Sequence, residues 1–214
     1  MTNRADGVFI VFEGGDGVGK TTQVERLCRW LTDQGREVVR TFEPGDTPVG
    51  QHIRRIVLDP ATGEISPRAE ALLYAADKAQ HLYAVVRPAL ARGAVVVCDR
   101  YVDSMIAYQG AGRVLESDEV EQVARWATED LMPHLTVLLD VDHRKAVSVK
   151  ADKDRLEAAG DDFHARARGH FLALAERRPD LYLVLDARDT RAAIAERIVA
   201  RVSAILSAGA DTVV

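Results

Sequence analysis

VFIVFEGGDGVGKTT, residues 8–22, decides how this chain folds. Val8 to Phe12 form a short apolar, β-prone run, and helical period begins near residue 19. Between them, Gly14 to Thr21 satisfies GxxxxGK[ST] in the strand-then-helix context that separates a P-loop from a chance match. Glycines let successive backbone N–H groups converge on phosphate oxygens, and the following helix turns its positive end toward the same charge. Lys20 is placed to bridge the β- and γ-phosphates of a nucleoside triphosphate, and Thr21 to bind Mg2+ through its hydroxyl. The loop alone allows GTPases, ATPases and kinases. Asp16 narrows the choice, because an acid inside an anion-binding loop does not help a triphosphate and is expected to face sugar hydroxyls of a second substrate.

Working outward, brief β-branched runs at 8–12, 37–42, 94–99, 135–141 and 181–186 alternate with segments of helical period. Helices are expected at 19–34, 48–58, 67–91, 117–131, 143–176 with a break, and 190–207, with Gly35 and Gly93 standing where two of them should stop. This is the pattern of an α/β protein: a three-layer P-loop NTPase fold with a central five-stranded parallel sheet flanked by helices. At 214 residues the chain fits one domain, 1–214. Apolar periodicity fades and charges crowd together over 149–162, which reads as a short helical lid, with 1–6 and 208–214 as flexible tails.

Hydrophobic residues at 47% and charged residues at 29% are the balance of an ordinary globular protein. A formal net charge of −5 argues against a broad grip on nucleic acid, so any anion site must be local. No apolar run approaches the roughly 20 residues that cross a bilayer, and "MTNRADG" holds no hydrophobic signal core. Cys28 and Cys98 lie among apolar neighbours without metal-ligand spacing, and are read as buried free thiols of a reducing compartment. These features place the protein in the cytoplasm.

Ligands of doubly wound folds bind beyond the carboxyl ends of the strands, and those ends are polar here: "FEPGDT" (42–47), "DRYVDSMIAYQG" (99–110) and "DVDHRK" (140–145). Asp99 can hold Mg2+ through water, and Arg100 can clamp phosphate oxygens with its planar fork of donors. On helix 67–91, Leu72, Leu73, Ala76 and Leu82 can form a packed face. Tyr74 and Lys78, four apart, share another, where an aromatic ring could stack on a base while a donor reached its edge.

Together these segments resemble the bacterial thymidylate kinases, which transfer the γ-phosphoryl group of ATP to dTMP. The resemblance runs from the phosphate loop through "AEALLYAADKAQH" (69–81) and "RPALARGAVVVCDRYVDSMIAYQG" (87–110) to "DRLEAAGDDFHARARGHFLALA" (154–175) and "LVLDA" (183–187). It implies that Gly14, Gly15, Asp16, Gly17, Val18, Gly19, Lys20, Thr21 and Thr22 bind ATP, with Thr21 and Asp99 serving Mg2+. It further implies that Asp16 meets the deoxyribose or the acceptor phosphate, that Arg54 and Arg100 hold that phosphate, and that Tyr74 stacks on thymine. Lys78 takes the place of an Arg that reaches the base, and Glu43, Ser104, Tyr108 and Gln109 complete the nucleotide pocket. A homodimer is the family's usual state.

Three departures stand out. Phe42 and Asp46 replace an arginine and a glycine of the usual Arg-Glu-Pro-Gly-Gly-Thr, Lys78 replaces the arginine, and the lid is short and poor in arginine. With Gly17 beside Asp16, the resemblance draws a catalytic cation from the lid, from Lys150, Lys153 or Arg155, with Arg155 joining Lys20 and Arg100 as the catalytic set. A phosphate monoester dianion is already a nucleophile, so no protein base is needed and catalysis reduces to alignment and charge neutralisation. Two other readings are carried forward: a deoxynucleoside kinase with Glu43 as general base on a 5′-hydroxyl, and a nucleotide-binding regulatory protein that transfers no phosphoryl group.

Overall fold

In the computed structural model, which describes residues 7–112, 115–142, 155–156 and 159–211, β1 (Val8–Gly14) is the centre of a five-stranded parallel sheet. β2 (Val38–Phe42), β3 (Val95–Asp99), β4 (Leu135–Asp140) and β5 (Tyr182–Asp186) complete it in the order β2-β3-β1-β4-β5. β1 pairs with β3 from Val8↔Val95 to Phe12↔Asp99, and with β4 from Ile10↔Leu135 to Gly14↔Leu139. The chain leaves β1 toward β2 and β3 on one side, and later crosses to β4 and β5 on the other. The crevice at this switch point opens at the carboxyl end of β1, where the phosphate loop lies.

Both faces of the sheet are covered, which is why its strands read as unbroken apolar runs. Phe9 and Val11 point to one face, among Ile53 and Val57 of α2 (Pro48–Leu58), Tyr74 and Ala75 of α3 (Pro67–His81), and Val120 and Ala124 of α6 (Ser117–Thr128). Ile10 and Phe12 point to the other, among Leu27 and Leu31 of α1 (Lys20–Asp33) and Ile194 and Ile198 of α8 (Arg191–Asp211). A third cluster seats Phe163 and Phe171 of α7 (Asp161–Arg177) against Tyr108 and Leu138.

The expected strands and the helices at 48–58 and 117–131 appear within a few residues of their predicted bounds. Gly35 and Gly93, at φ 72° and 84°, take the left-handed turn just after a helix end that a Cβ would resist. The helix expected over 67–91 is instead α3, a π-helical stretch from Leu82 to Val86, and α4 (Arg87–Ala91). Pro88 has no N–H to return to the preceding turn, so the register loosens just ahead of it. α5 (Val102–Met105) likewise widens into a π-helix over Ile106–Gly112.

The expected packed face of α3 is corrected: Leu72 is 59% exposed and Ala76 is also exposed, while Ala71, Tyr74, Ala75, Lys78 and Leu82 are buried. α3 is rotated to bring a polar stripe inward, and burial of Glu70, Asp77, Lys78 and His81 is made possible by partners across the crevice. Of the two thiols, Cys98 is buried as expected, but Cys28 is only half-buried; both are free. α8 continues to Asp211 instead of ending at 207. The tail at 1–6 and most of the expected lid, including Lys150 and Lys153, lie outside the described residues.

Candidate active site

The phosphate loop is shaped by close approach. Gly14 sits at φ 130°, where a Cβ would lie 2.3 Å from the Leu139 carbonyl oxygen of β4, so a side chain there would collide with the neighbouring strand. Gly17 and Gly19, at φ 73° and 96°, turn the backbone into α1. Lys20 is 7% exposed and folds back to donate to the carbonyl oxygens of Gly14 at 3.0 Å and Gly15 at 2.6 Å. Burial, and next the charge of Arg100, pull its ammonium down to about 8. The charges of Asp99, Asp16 and Glu13 act the other way and do not offset it.

Arg100, directly after β3, is held at φ 71°, a conformation rare for a residue with a Cβ. Its N–H donates to the Phe12 carbonyl oxygen at 2.9 Å, which ties this turn to the end of β1. The guanidinium donates to Asp16 Oδ1 at 2.7 Å, Ser104 Oγ at 3.1 Å and Tyr108 Oη at 3.4 Å, and lies 5.3 Å over the Tyr108 ring. Burial opposes a charge on Asp16, but Arg100 and then Lys20 outweigh it and hold the carboxyl below its usual range. Asp16 is thus paired with Arg100.

Asp16, Glu43, Arg54, Tyr74, Lys78, Arg100, Ser104, Tyr108 and Gln109, all expected in the acceptor site, line one cleft together with Pro44, Leu58, Met105 and Leu156. The π-helical stretch after Met105 carries Tyr108 and Gln109 to the same wall as Ser104. Arg54 donates to the Pro44 carbonyl oxygen at 2.7 Å, and its guanidinium lies 5.8 Å over the Phe42 ring. Phe42, where the family commonly has arginine, therefore steadies a neighbouring arginine. The peptide bond between Glu43 and Pro44 is cis.

Lys78 Nζ is ion-paired with Glu43 Oε2, while His81 Nδ1 lies 2.7 Å from Glu43 Oε1. Burial works against the charge on Glu43, but Lys78 and then His81 hold its carboxyl below the usual range. Burial works against Lys78 in the same way, and Glu43 outweighs it to raise the ammonium above its ordinary value. Beside them, burial and then the charge of Glu43 push Asp77 up to about 6.

Thr21 Oγ lies 3.5 Å from Asp99 Oδ2, and Asp99 Oδ1 is buried without a hydrogen-bond partner among the described residues. An orphaned carboxylate oxygen beside the loop hydroxyl fits a divalent cation held partly through water. Arg155 is placed elsewhere than expected: it donates to the Val57 carbonyl oxygen at 3.0 Å and pairs with Glu70 at 3.3 Å, on the α2–α3 side of the cleft. Asp140, from the polar end of β4, is taken up by a bidentate pair with Arg168 of α7 at 2.7 and 2.8 Å.

Two buried acids escaped the sequence reading. Glu13 is fully buried in β1 and accepts from the N–H groups of Tyr101 and Ser104 at 2.8 and 3.1 Å and from Ser104 Oγ at 2.6 Å. It thereby anchors the turn that presents Arg100. Glu70 accepts from Gln109 Nε2 at 3.2 Å while pairing with Arg155. A signal existed for both: Glu13 interrupts an apolar strand, and Glu70, Tyr74, Lys78 and His81 recur at helical spacing on α3.

The family model for thymidylate kinase matches residues 12–198 of the chain. The chain belongs to the thymidylate kinase family. Thymidylate kinase of Cutibacterium acnes is 61% identical over 94% of this chain and 98% of its own, and that of Clavibacter sepedonicus is 55% identical over 96% and 99%. A crystal structure of thymidylate kinase from Ehrlichia chaffeensis superposes with a TM-score of 0.77 at 27% identity, covering 92% of this chain and 99% of that one. Like other thymidylate kinases, the chain is an ATP-dependent nucleoside monophosphate kinase. Among its described residues no helix is long and apolar enough to cross a membrane.

Proposed function

We propose that the cleft between α3, the π-helical stretch and the phosphate loop receives dTMP, and that the loop presents the γ-phosphoryl group of ATP to it. What carries this reading is that Asp16, Arg100, Tyr74, Lys78 and Gln109 line one cleft, and that the charges of Asp16 and Arg100 act on Lys20 of the loop. Tyr74 supplies a ring for stacking on the pyrimidine, and Lys78 and Gln109 supply donors for its edge. Arg100 and Arg54 neutralise the acceptor phosphate, and Asp16 orients Arg100 while facing the deoxyribose. Lys20 exchanges its loop carbonyls for the β- and γ-oxygens, which offset the cost of its burial.

Thr21 and Asp99 would hold Mg2+, which when bound neutralises charge on the donor oxygens. The acceptor monoester needs no base. Glu43 is a poor candidate for one, since its oxygens are engaged by Lys78 and His81 and its carboxyl is held below the usual range. That observation weighs against the deoxynucleoside kinase reading.

In the described geometry Arg155 clasps the wall of the cleft through Glu70, which in turn holds Gln109. We assign it to keeping the acceptor pocket in shape, with the phosphoryl-neutralising work falling to Lys20 and Arg100. We also propose a homodimer in the cytoplasm. Val49 and Ile56 of α2, Leu72 of α3 and Trp126 of α6 are exposed apolar side chains on three helices that share one face of the sheet.

A coupled assay of ADP release with dTMP, dUMP, dCMP and thymidine tests the whole reading. Turnover is expected with dTMP and not with thymidine. Phosphorylation of thymidine alone would replace the reading with a nucleoside kinase, and ATP binding without any acceptor-dependent ADP release would replace it with a regulatory nucleotide binder.

A further inference from the structure

Behind the wall that Glu43 and Lys78 give to the cleft, a polar chain continues outward through His81 and Thr41 to Asp46. Its proton count is constrained. Glu43 is a carboxylate that takes one hydrogen bond from Lys78, so His81 Nδ1, 2.7 Å from Oε1, is a donor. His81 Nε2 lies 2.5 Å from Thr41 Oγ1, and the same hydroxyl lies 2.5 Å from Asp46 Oδ2. One hydroxyl proton cannot serve both neighbours. Asp46, as a carboxylate, has no proton to give, so Thr41 donates to Asp46 and accepts from His81. Both ring nitrogens of His81 then carry protons.

Charge balance agrees with the proton count. Lys78 and His81 are 2% and 0% exposed, and buried cations persist where anions face them. Glu43 supplies one anion and Asp46, half-buried at the outer end, supplies the second. The other ionisable groups around the chain are Asp77 on α3, Cys98 of β3, Tyr101 after it, and Glu13 of β1. With glycine at 46, which the family commonly carries, the Thr41 proton would turn to Nε2 and His81 would be neutral.

We propose that Asp46, acting through Thr41, keeps His81 doubly protonated, and that this second cation shares Glu43 so that the Lys78 ammonium keeps donors for the carbonyl edge of a pyrimidine in the cleft. Asp46, Thr41 and His81 are positioning residues, and Lys78 is the group that meets the base. The inference rests on the cleft being the dTMP site. It also gives the two departures a common logic: lysine has fewer directed donors than arginine, and the charge behind Glu43 leaves more of them free.

The test is nitrogen-15 NMR of the histidine rings in the full-length protein, with the His81 signal identified by its loss in His81→Gln. In the wild type near neutral pH, both His81 nitrogens are expected to carry protons. One proton is lost in Asp46→Gly and in Thr41→Val, and Thr41→Ser keeps both. In parallel, Asp46→Gly is expected to raise the KM for dTMP about tenfold with kcat within about twofold, the scale of one charge-assisted hydrogen bond. A bare nitrogen on His81 in the wild type, or an unchanged proton count in Asp46→Gly, overturns the proposal. So does a changed proton count with an unchanged KM, which would cut the link to the base. If the wild type does not turn over dTMP, the reading of the cleft fails instead, and the NMR result still judges the charge on His81.

Discussion

Lys20 turns the pH dependence of ATP binding into a measurement of the phosphate loop. Among the described residues its buried ammonium has only the neutral carbonyls of Gly14 and Gly15 as hydrogen-bond partners, and it loses its proton at about 8 instead of the ordinary 10.5. A bound triphosphate adds its negative charge to that of Asp99, Asp16 and Glu13 and returns the lysine toward its ordinary value. Above pH 8, binding must therefore take up a proton, and ATP affinity should fall by as much as tenfold for each further pH unit, up to about 3 kcal/mol across the gap. Stability of the free protein runs the other way. Below pH 8 the lysine is charged in both folded and unfolded chains, and the fold bears the cost of burying that charge. From 8 to 10.5 the folded chain has shed the proton while the unfolded chain still binds it, so this contribution to the unfolding free energy rises with pH. Calorimetric titration with ATP between about pH 7 and 9.5, in buffers of different ionisation heat, counts the protons taken up. Urea unfolding of the same samples, each compared with Lys20→Met, reads the opposing trend in stability. An affinity flat across that range, with no buffer-dependent heat, would refute this account of the loop.

Two further outcomes are expected. Arg155→Ala should raise the KM for dTMP about tenfold by releasing Glu70 and Gln109, while kcat changes by less than about threefold, again the scale of a charge-assisted bond; steady-state kinetics showing a fall in kcat of about a hundredfold at unchanged KM would put Arg155 at the transferring phosphoryl group. Trp126→Glu should shift the protein from dimer to monomer in sedimentation, since it would bury a charge in the proposed apolar interface; an unchanged mass would exclude that surface.

The order of strands and helices was legible because both faces of the sheet are buried, so apolar runs such as Val8–Phe12 could only be strands between helical layers. The phosphate loop was equally legible, since GxxxxGK[ST] is a local motif whose conformation is set by its own glycines. α3 was harder. Its leucines suggested one buried face, but Leu72 is exposed and the inward stripe is polar, because each of those polar groups finds its partner on a different element. Arg155 shows the same limit, as its pairing with Glu70 joins positions 85 apart in the chain.

The amino-acid sequence by itself pointed to where phosphate would be held and to a second substrate beside it, because those signals are short-range. Only the tertiary structure decided which cations are free to meet that substrate. Arg100 is aimed by Glu13 through Ser104, Lys78 is shared with Glu43, and Asp46 reaches His81 through Thr41. Which proton sits on which atom follows from distances between elements far apart in sequence, and no pattern along the chain records them.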